Sequence, residues 1–389
     1  MSRAPVPAFA PADPSASARD FAPIYPYVPM AGALVWNRVQ DDPSPVKVHP
    51  SFSPDWFAAR MGLDMSERWH QDPRYRRDSF AAMAAALNKE FPRLRLGGDP
   101  SAVRGGLSQI ANCAPVAALF GQEVLYSAGA WPDNAPYRLD DAAAESLEVP
   151  DFESGKFFTD LMRQMDVIER EWGPIEGELN YQGILNTAFR LRGEQIFMDM
   201  VYAPERAHRV LDVVCRTTMK FVDAVYARQA ASGASRDYFV TSNCVVNMIA
   251  EEHYRDFVMP YDRRLSEHYA HFGVHNCGWN VNAYARPYSE IRELGYLDFG
   301  LTSDLPLLRK LFPRTVLTVI LNPDDVIGRT PAEVNASLCK LRDSLGTCRI
   351  LIGSLDGRTP SAEVEAFFDA VAAAWGVAVE QLAPPPHFG

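Results

Sequence analysis

The chain has 389 residues, 47% of them hydrophobic and 22% charged, and carries a net charge of −11. The composition is that of an ordinary globular protein, and the length suits two average domains or one large α/β barrel. The acidic balance argues against nucleic acid or an anionic membrane as partner, since both call for basic patches, and no apolar run reaches the roughly 18 residues of a membrane span.

Residues 1–50 are rich in proline and poor in periodicity, which reads as an irregular N-terminal arm. Its first 19 residues lack the continuous apolar stretch of a secretory signal. The cysteines (Cys113, Cys215, Cys244, Cys277, Cys339, Cys348) are scattered without paired spacing, which argues for reduced thiols and a cytoplasmic setting. Residues 51–100 read as a helical segment packing on a barrel. A short amphipathic piece covers 55–61, and a longer helix covers 72–91, with Asp72 at its cap and Pro73 in its first turn. Arg74, Arg76 and Arg77 on that helix read as a solvated face.

Short strands are expected at 94–96, 107–110 and 122–126, then a helix over 154–172. Residues 173–180 read as a barrel strand and its loop, followed by helices over 183–200 and 204–230. The strand 237–241 runs into Ser242, Asn243 and Cys244. A helix over 250–271 carries Pro260, which can kink it. Further strands are expected at 271–275, 296–301, 315–321 and 349–353, with helices over 285–293, 305–312, from 330 onward, and over 361–374. Alternation of this kind implies a parallel sheet, and at this length a (β/α)8 TIM barrel over 101–389, α/β in class, is the economical form. Chemistry in such barrels sits on the loops at the C-terminal strand ends. His275, Cys277, Asn243, Asp304, Asn322 and Asp356 all fall at or just after such ends.

The stretch His275-Asn276-Cys277-Gly278 carries the most chemistry. Residues two apart in a strand share a face, so the imidazole and the thiol can converge, and Gly278 lets the chain turn at once. That pair suits a borderline-soft ion such as zinc; the plainer reading is a buried histidine and cysteine. Cys244, at the mouth after its own strand, and Glu176 or Glu178, after the strand near Gly173, are further donors within reach of the same region. Trp279, Asn280, Asn282, Tyr284 and Arg286 follow Cys277 closely, and Asn180, Tyr181 and Gln182 follow another strand end. Amides that donate and accept suit a small polar substrate, and Arg286 can clamp a carboxylate; the same groups can equally cap the next helix.

Several ordered segments give the chain a resemblance to the uroporphyrinogen decarboxylase-like superfamily over residues 110–375. They are the helix around Ile249-Ala250-Glu251-Glu252-His253-Tyr254, the His275-Asn276-Cys277-Gly278 motif, Leu321-Asn322-Pro323-Asp324 with Gly328-Arg329-Thr330-Pro331, and the strand Arg349-Ile350-Leu351-Ile352-Gly353-Ser354. The nearer branch resembles the zinc-dependent methyltransferases that pass a methyl group from a corrinoid protein to a thiol such as coenzyme M. The Arg-Gln-Ala-Gly-Arg signature with which the decarboxylases grip propionates is absent.

The resemblance implies zinc held by His275 and Cys277 and a third, cysteine ligand just after the last strand. Ser354-Leu355-Asp356-Gly357 stands there instead, and Cys348 precedes that strand. Cys244 and Asp356 are therefore level as the third ligand, with Glu178 behind them. The resemblance implies methylcobalamin or a folate as external methyl carrier. No Asp-x-His-x-x-Gly corrinoid motif is present, so cobalamin would arrive on a partner corrinoid protein or free. It also implies a homodimer. The expected activity is methyl transfer or demethylation. The alternatives are a lyase or decarboxylase on a small carboxylate, using Arg286 with Asp356 or Asp304, and a non-catalytic barrel that binds a corrinoid or a metal.

Overall fold

The structure is a computed structural model that describes residues 45–136 and 138–383. Most of the expected N-terminal arm lies outside the described residues. The strands are β1 (Val46–Phe52), β2 (Val124–Ser127), β3 (Ala130–Asn134), β4 (Tyr238–Ser242), β5 (His271–His275), β6 (Leu294–Gly300), β7 (Val316–Leu321) and β8 (Cys348–Leu355).

Six of these form one parallel sheet in the order β1-β8-β7-β6-β5-β4. Two short segments take the second and third strand positions. Gly106 bridges Glu176 in parallel, Leu107 donates to the Glu176 carbonyl (2.9 Å), and Glu178 accepts from the Tyr238 hydroxyl (2.9 Å) beside β4. The whole is a TIM-barrel-like (β/α)8 fold.

The barrel begins earlier than residue 101. β1 pairs with β8 from Val46↔Cys348 onward, so the first strand spans the expected boundary between arm and helical segment. Its Val-x-Val run is short and sits among prolines, which masks it in the sequence. The expected strand at 94–96 is a turn, and 107–110 keeps only the single bridge at Gly106. Expected 122–126 is β2, which pairs antiparallel with β3 as a separate hairpin.

The helix over Pro73–Glu90 starts as its sequence dictates: the Asp72 carboxylate accepts from the Arg74 and Tyr75 amides, and Pro73 opens the first turn. Arg76 on that helix is not solvated but buried. Its guanidinium donates to the carbonyls of Trp69, His70 and Gly106 and to Gln164 Oε1, tying the helix to the second strand segment. Its neighbour Arg74 does face outward, paired with Glu171. The expected helix over 183–200 breaks at Gly193 into Ile184–Arg192 and Gln195–Tyr202.

The expected kink at Pro260 takes the form of a π-helical turn over Tyr254–Val258 before the helix Met259–His268. Proline lacks the amide that would close the preceding α-turn, and π-turns inside helices recur at functional sites.

Alternation divides the core into two layers. Phe239 and Phe272 point outward and stack with Tyr181 and Tyr269 under the helices. Residues of the opposite face, including His49, Arg349, Tyr238 and Tyr296, fill the barrel and are buried.

Candidate metal centre

β4 and β5 are neighbours in register, with Ser242 opposite His275. The Asn243 amide donates to the His275 carbonyl (2.7 Å), so the two strands still run together as they end. The next residues carry the donors. Cys244 Sγ lies 2.7 Å from Cys277 Sγ, and His275 Nε2 lies 3.1 Å from Cys277 Sγ. One donor atom from each of Cys244, His275 and Cys277 lies within 4.8 Å of the others.

Local backbone chemistry sets this arrangement. Cys277 has φ +49° and Gly278 φ +76°, two successive left-handed residues that turn the chain back after the strand. Such a conformation is costly for a residue with a Cβ and clusters at functional sites. Gly300 at the end of β6 leaves room for the turn: a Cβ there would sit 1.9 Å from the Gly278 carbonyl oxygen. Gly183 does the same for β4, since a Cβ would sit 2.3 Å from the Ser242 carbonyl oxygen. The Cys244 loop is held by the Val245 amide donating to Asn186 Oδ1 (3.1 Å).

His275 is oriented from behind. Asp298 Oδ2 lies 2.6 Å from Nδ1, while Oδ1 accepts from the Asn276 amide (2.6 Å). The Tyr296 hydroxyl donates to Asp298 Oδ2 (2.9 Å), and Asn276 Nδ2 donates to the Asp298 carbonyl (2.8 Å). Asp298 and Asn276 are fully buried. A carboxylate on one ring nitrogen puts the proton there and leaves the other nitrogen as a donor, the usual second layer around a metal-binding histidine.

Burial opposes charge on His275, but Asp298 and the two thiols hold its pKa well above the ordinary value. The hydrogen bond from Cys277 lowers the Cys244 pKa, with His275 adding to the effect, and Cys277 is raised correspondingly. One thiol of the pair thus ionises ahead of the other.

Two thiolates and an imidazole form a donor set that fits zinc. Three protein ligands with an open fourth position is the pattern of catalytic zinc, and closed four-ligand sets are structural.

Of the three candidates for the third donor, Cys244 lies in this cluster, and Asp356 and Glu178 do not. The Asp356 carboxylate is bound by Arg358 (2.6 and 2.9 Å) and Thr359, and Arg358 holds its pKa below the usual range. Glu178 is turned toward Tyr238, and burial raises its carboxyl to about 7. Cys348 is buried at the start of β8.

The polar residues around the motif mostly hold loops. Asn280 Nδ2 donates to the Thr302 carbonyl, Asn282 Oδ1 accepts from the Asp304 amide, and the Asp304 carboxylate caps the helix Leu305–Leu311. Asn243 is fully buried and donates to Asp262 Oδ2 (2.9 Å), which also accepts from the Tyr254 hydroxyl (2.8 Å). Asn180 accepts from Gln182. Tyr181 packs with Phe221, Tyr226 and Phe239 in the layer under the helices, because successive strand residues face opposite sides. Its ring is therefore core and not a substrate contact. Trp279 is half-buried with its ring 5.3 Å from Tyr284, and Arg286 is exposed on the short helix Ala285–Ser289.

Asp298, Asp262 and Tyr296 are absent from the residues read from sequence. Asp298 had a signal, as the one acid in the apolar strand Leu294–Gly300; an acid is almost never buried without a partner.

A family model described as uroporphyrinogen decarboxylase matches residues 110–373. No curated protein matches the chain. Among solved structures, a methyltransferase from Methanosarcina mazei superposes with a TM-score of 0.58 at 15% identity, covering 84% of this chain and 91% of that one. At that identity the likeness concerns the fold. A B12-independent methionine synthase from Shewanella sp. W3-18-1, in complex with selenomethionine, gives a TM-score of 0.32 at 13% identity over 63% of this chain and 71% of that one. The matched segment runs from the loop after the second strand position to the last helix and takes in every donor of the cluster, and on that match the chain belongs to the uroporphyrinogen decarboxylase family.

Proposed function

We propose that the protein is a zinc-dependent methyltransferase or demethylase, with Cys244, His275 and Cys277 as the metal ligands. The observation that carries this reading is the convergence of those three donors, within 4.8 Å of one another, at the C-terminal end of a parallel barrel. Zinc in such a set would hold a substrate thiol or similar nucleophile as its anion near neutral pH and leave a fourth position for it.

The chain's own residues supply the frame for that chemistry. Asp298 keeps the His275 proton on Nδ1 and presents Nε2 toward the cysteines. Cys244 and Cys277 come from adjacent strands, so their separation is set by the sheet. The methyl carrier is read as methylcobalamin or a folate brought from outside, with a corrinoid protein as the partner in the first case. The likeness in fold to a methyltransferase from Methanosarcina mazei is consistent with this reading.

The lyase or decarboxylase reading has less behind it. Asp356 is committed to Arg358 and Thr359, and Asp304 to a helix cap. Zinc-loaded protein mixed with methylcobalamin and a panel of small thiols tests the proposal. Loss of the methylcobalamin spectrum with formation of a thioether supports it. Release of carbon dioxide from a small acid, without thioether, would turn the assignment to the lyase.

A further inference from the structure

The same two sulfurs that serve as metal donors are placed for a second reaction. Cys244 and Cys277 are both free thiols, and their Sγ atoms are 2.7 Å apart. A disulfide needs about 2.05 Å between sulfurs. A tetrahedral zinc with Zn–S bonds of about 2.3 Å would set them roughly 3.8 Å apart. The observed contact lies between these two states.

The backbone brings the two cysteines to neighbouring strand ends. The cysteines follow Ser242 and His275, which are opposed in neighbouring strands, and the Asn243 amide bonds to the His275 carbonyl between them. Adjacent strands lie about 4.8 Å apart, within the spacing that a disulfide bridges. Cys277 is exposed, so a small oxidant reaches it from solvent.

We propose that Cys244 and Cys277 form a reversible redox-modification site, in which peroxide converts the pair to a disulfide and abolishes the metal-binding set. In the first step one thiol of the pair is oxidised by one hydrogen peroxide to a sulfenic acid, releasing one water. In the second the sulfur of the other cysteine attacks that sulfur, the S–S bond forms and a second water leaves. Two thiols are oxidised and one peroxide is reduced to two waters. Metal and disulfide exclude each other, because both use the same sulfurs, and after oxidation His275 remains as the one donor of the three. The loss of metal rests on the proposed centre; the cross-link itself does not.

The test uses the full chain in chelator-treated and zinc-loaded forms, titrated with hydrogen peroxide. The readouts are non-reducing peptide mapping and zinc release to a chromophoric chelator. The expected result is a cross-link between the peptides containing Cys244 and Cys277, with a loss of two hydrogens that a dithiol reductant reverses. In the zinc-loaded form the cross-link should appear at least about ten-fold more slowly and in step with zinc release. Cys244→Ser should lose the cross-link and carry Cys277 on to sulfinic acid. Peroxide that leaves the pair reduced, oxidises each cysteine separately, or joins either one to Cys113 would overturn the proposal. A cross-link in a protein that never takes up zinc would sink the metal assignment and leave the redox pair standing. Zinc uptake without any cross-link would do the reverse.

Discussion

Asp298 Oδ2 lies 2.6 Å from His275 Nδ1, and this contact decides which ring nitrogen faces the cysteines. The carboxylate is itself fixed by the Asn276 amide and the Tyr296 hydroxyl. Asp298→Asn removes the negative charge and sets an amide against those donors. It should weaken zinc binding by about 10- to 100-fold, measured by competition with a chromophoric chelator. An unfolding transition kept at the same denaturant concentration would show that the fold is retained. Unchanged affinity would mean that His275 is not a ligand or does not depend on Asp298.

The turn that carries Cys277 depends on a glycine distant in sequence. Gly300→Ala brings a methyl group to 1.9 Å from the Gly278 carbonyl oxygen, and the obstacle is backbone. The turn must shift, at a cost of about 1–3 kcal/mol by analogy with overpacking. Denaturant unfolding should register that loss, and zinc affinity should fall with it. An alanine variant with wild-type stability and affinity would show that the turn is free to move.

Asp262 gives the stability a defined pH dependence. Burial raises its carboxyl from 3.8 to about 6. The native state therefore holds this proton over a range where the unfolded chain has released it. Stability from this group is fully present below about pH 4 and is lost as pH rises through 6. The rise to about 6 corresponds to about 3 kcal/mol. Asp262→Asn should remove this part of the slope between pH 4 and 6 in urea unfolding. A variant with the same slope as wild type would contradict the assignment.

The sheet pattern was legible because buried parallel strands leave continuous apolar runs such as Val316–Leu321. His275 and Cys277 were legible because they are two apart at a strand end. Cys244 was level with Asp356, since sequence spacing does not say which strand is next to β5; the β4–β5 register does. Asp298 does not stand out in the sequence as part of the site because its partner is 23 positions away. Arg76 reads as solvated because a helix face looks the same in sequence whether water or the Gly106 carbonyl lies beyond it. The polar Asn280 and Asn282 suggested a substrate, and the structure spends them on loop closure.

The proposed third metal donor, Cys244, comes from the end of β4. The most direct measurement is zinc content with X-ray absorption at the zinc edge, on wild type, Cys244→Ser and Asp356→Ala. With Cys244 as that donor, the protein should hold about one zinc per chain with two sulfur ligands and one imidazole. That zinc should be lost or strongly weakened in Cys244→Ser and unchanged in Asp356→Ala. A Cys244→Ser protein that keeps its zinc at full affinity with the number of sulfur ligands unchanged, or an Asp356→Ala protein that loses it, would show that the donor lies elsewhere.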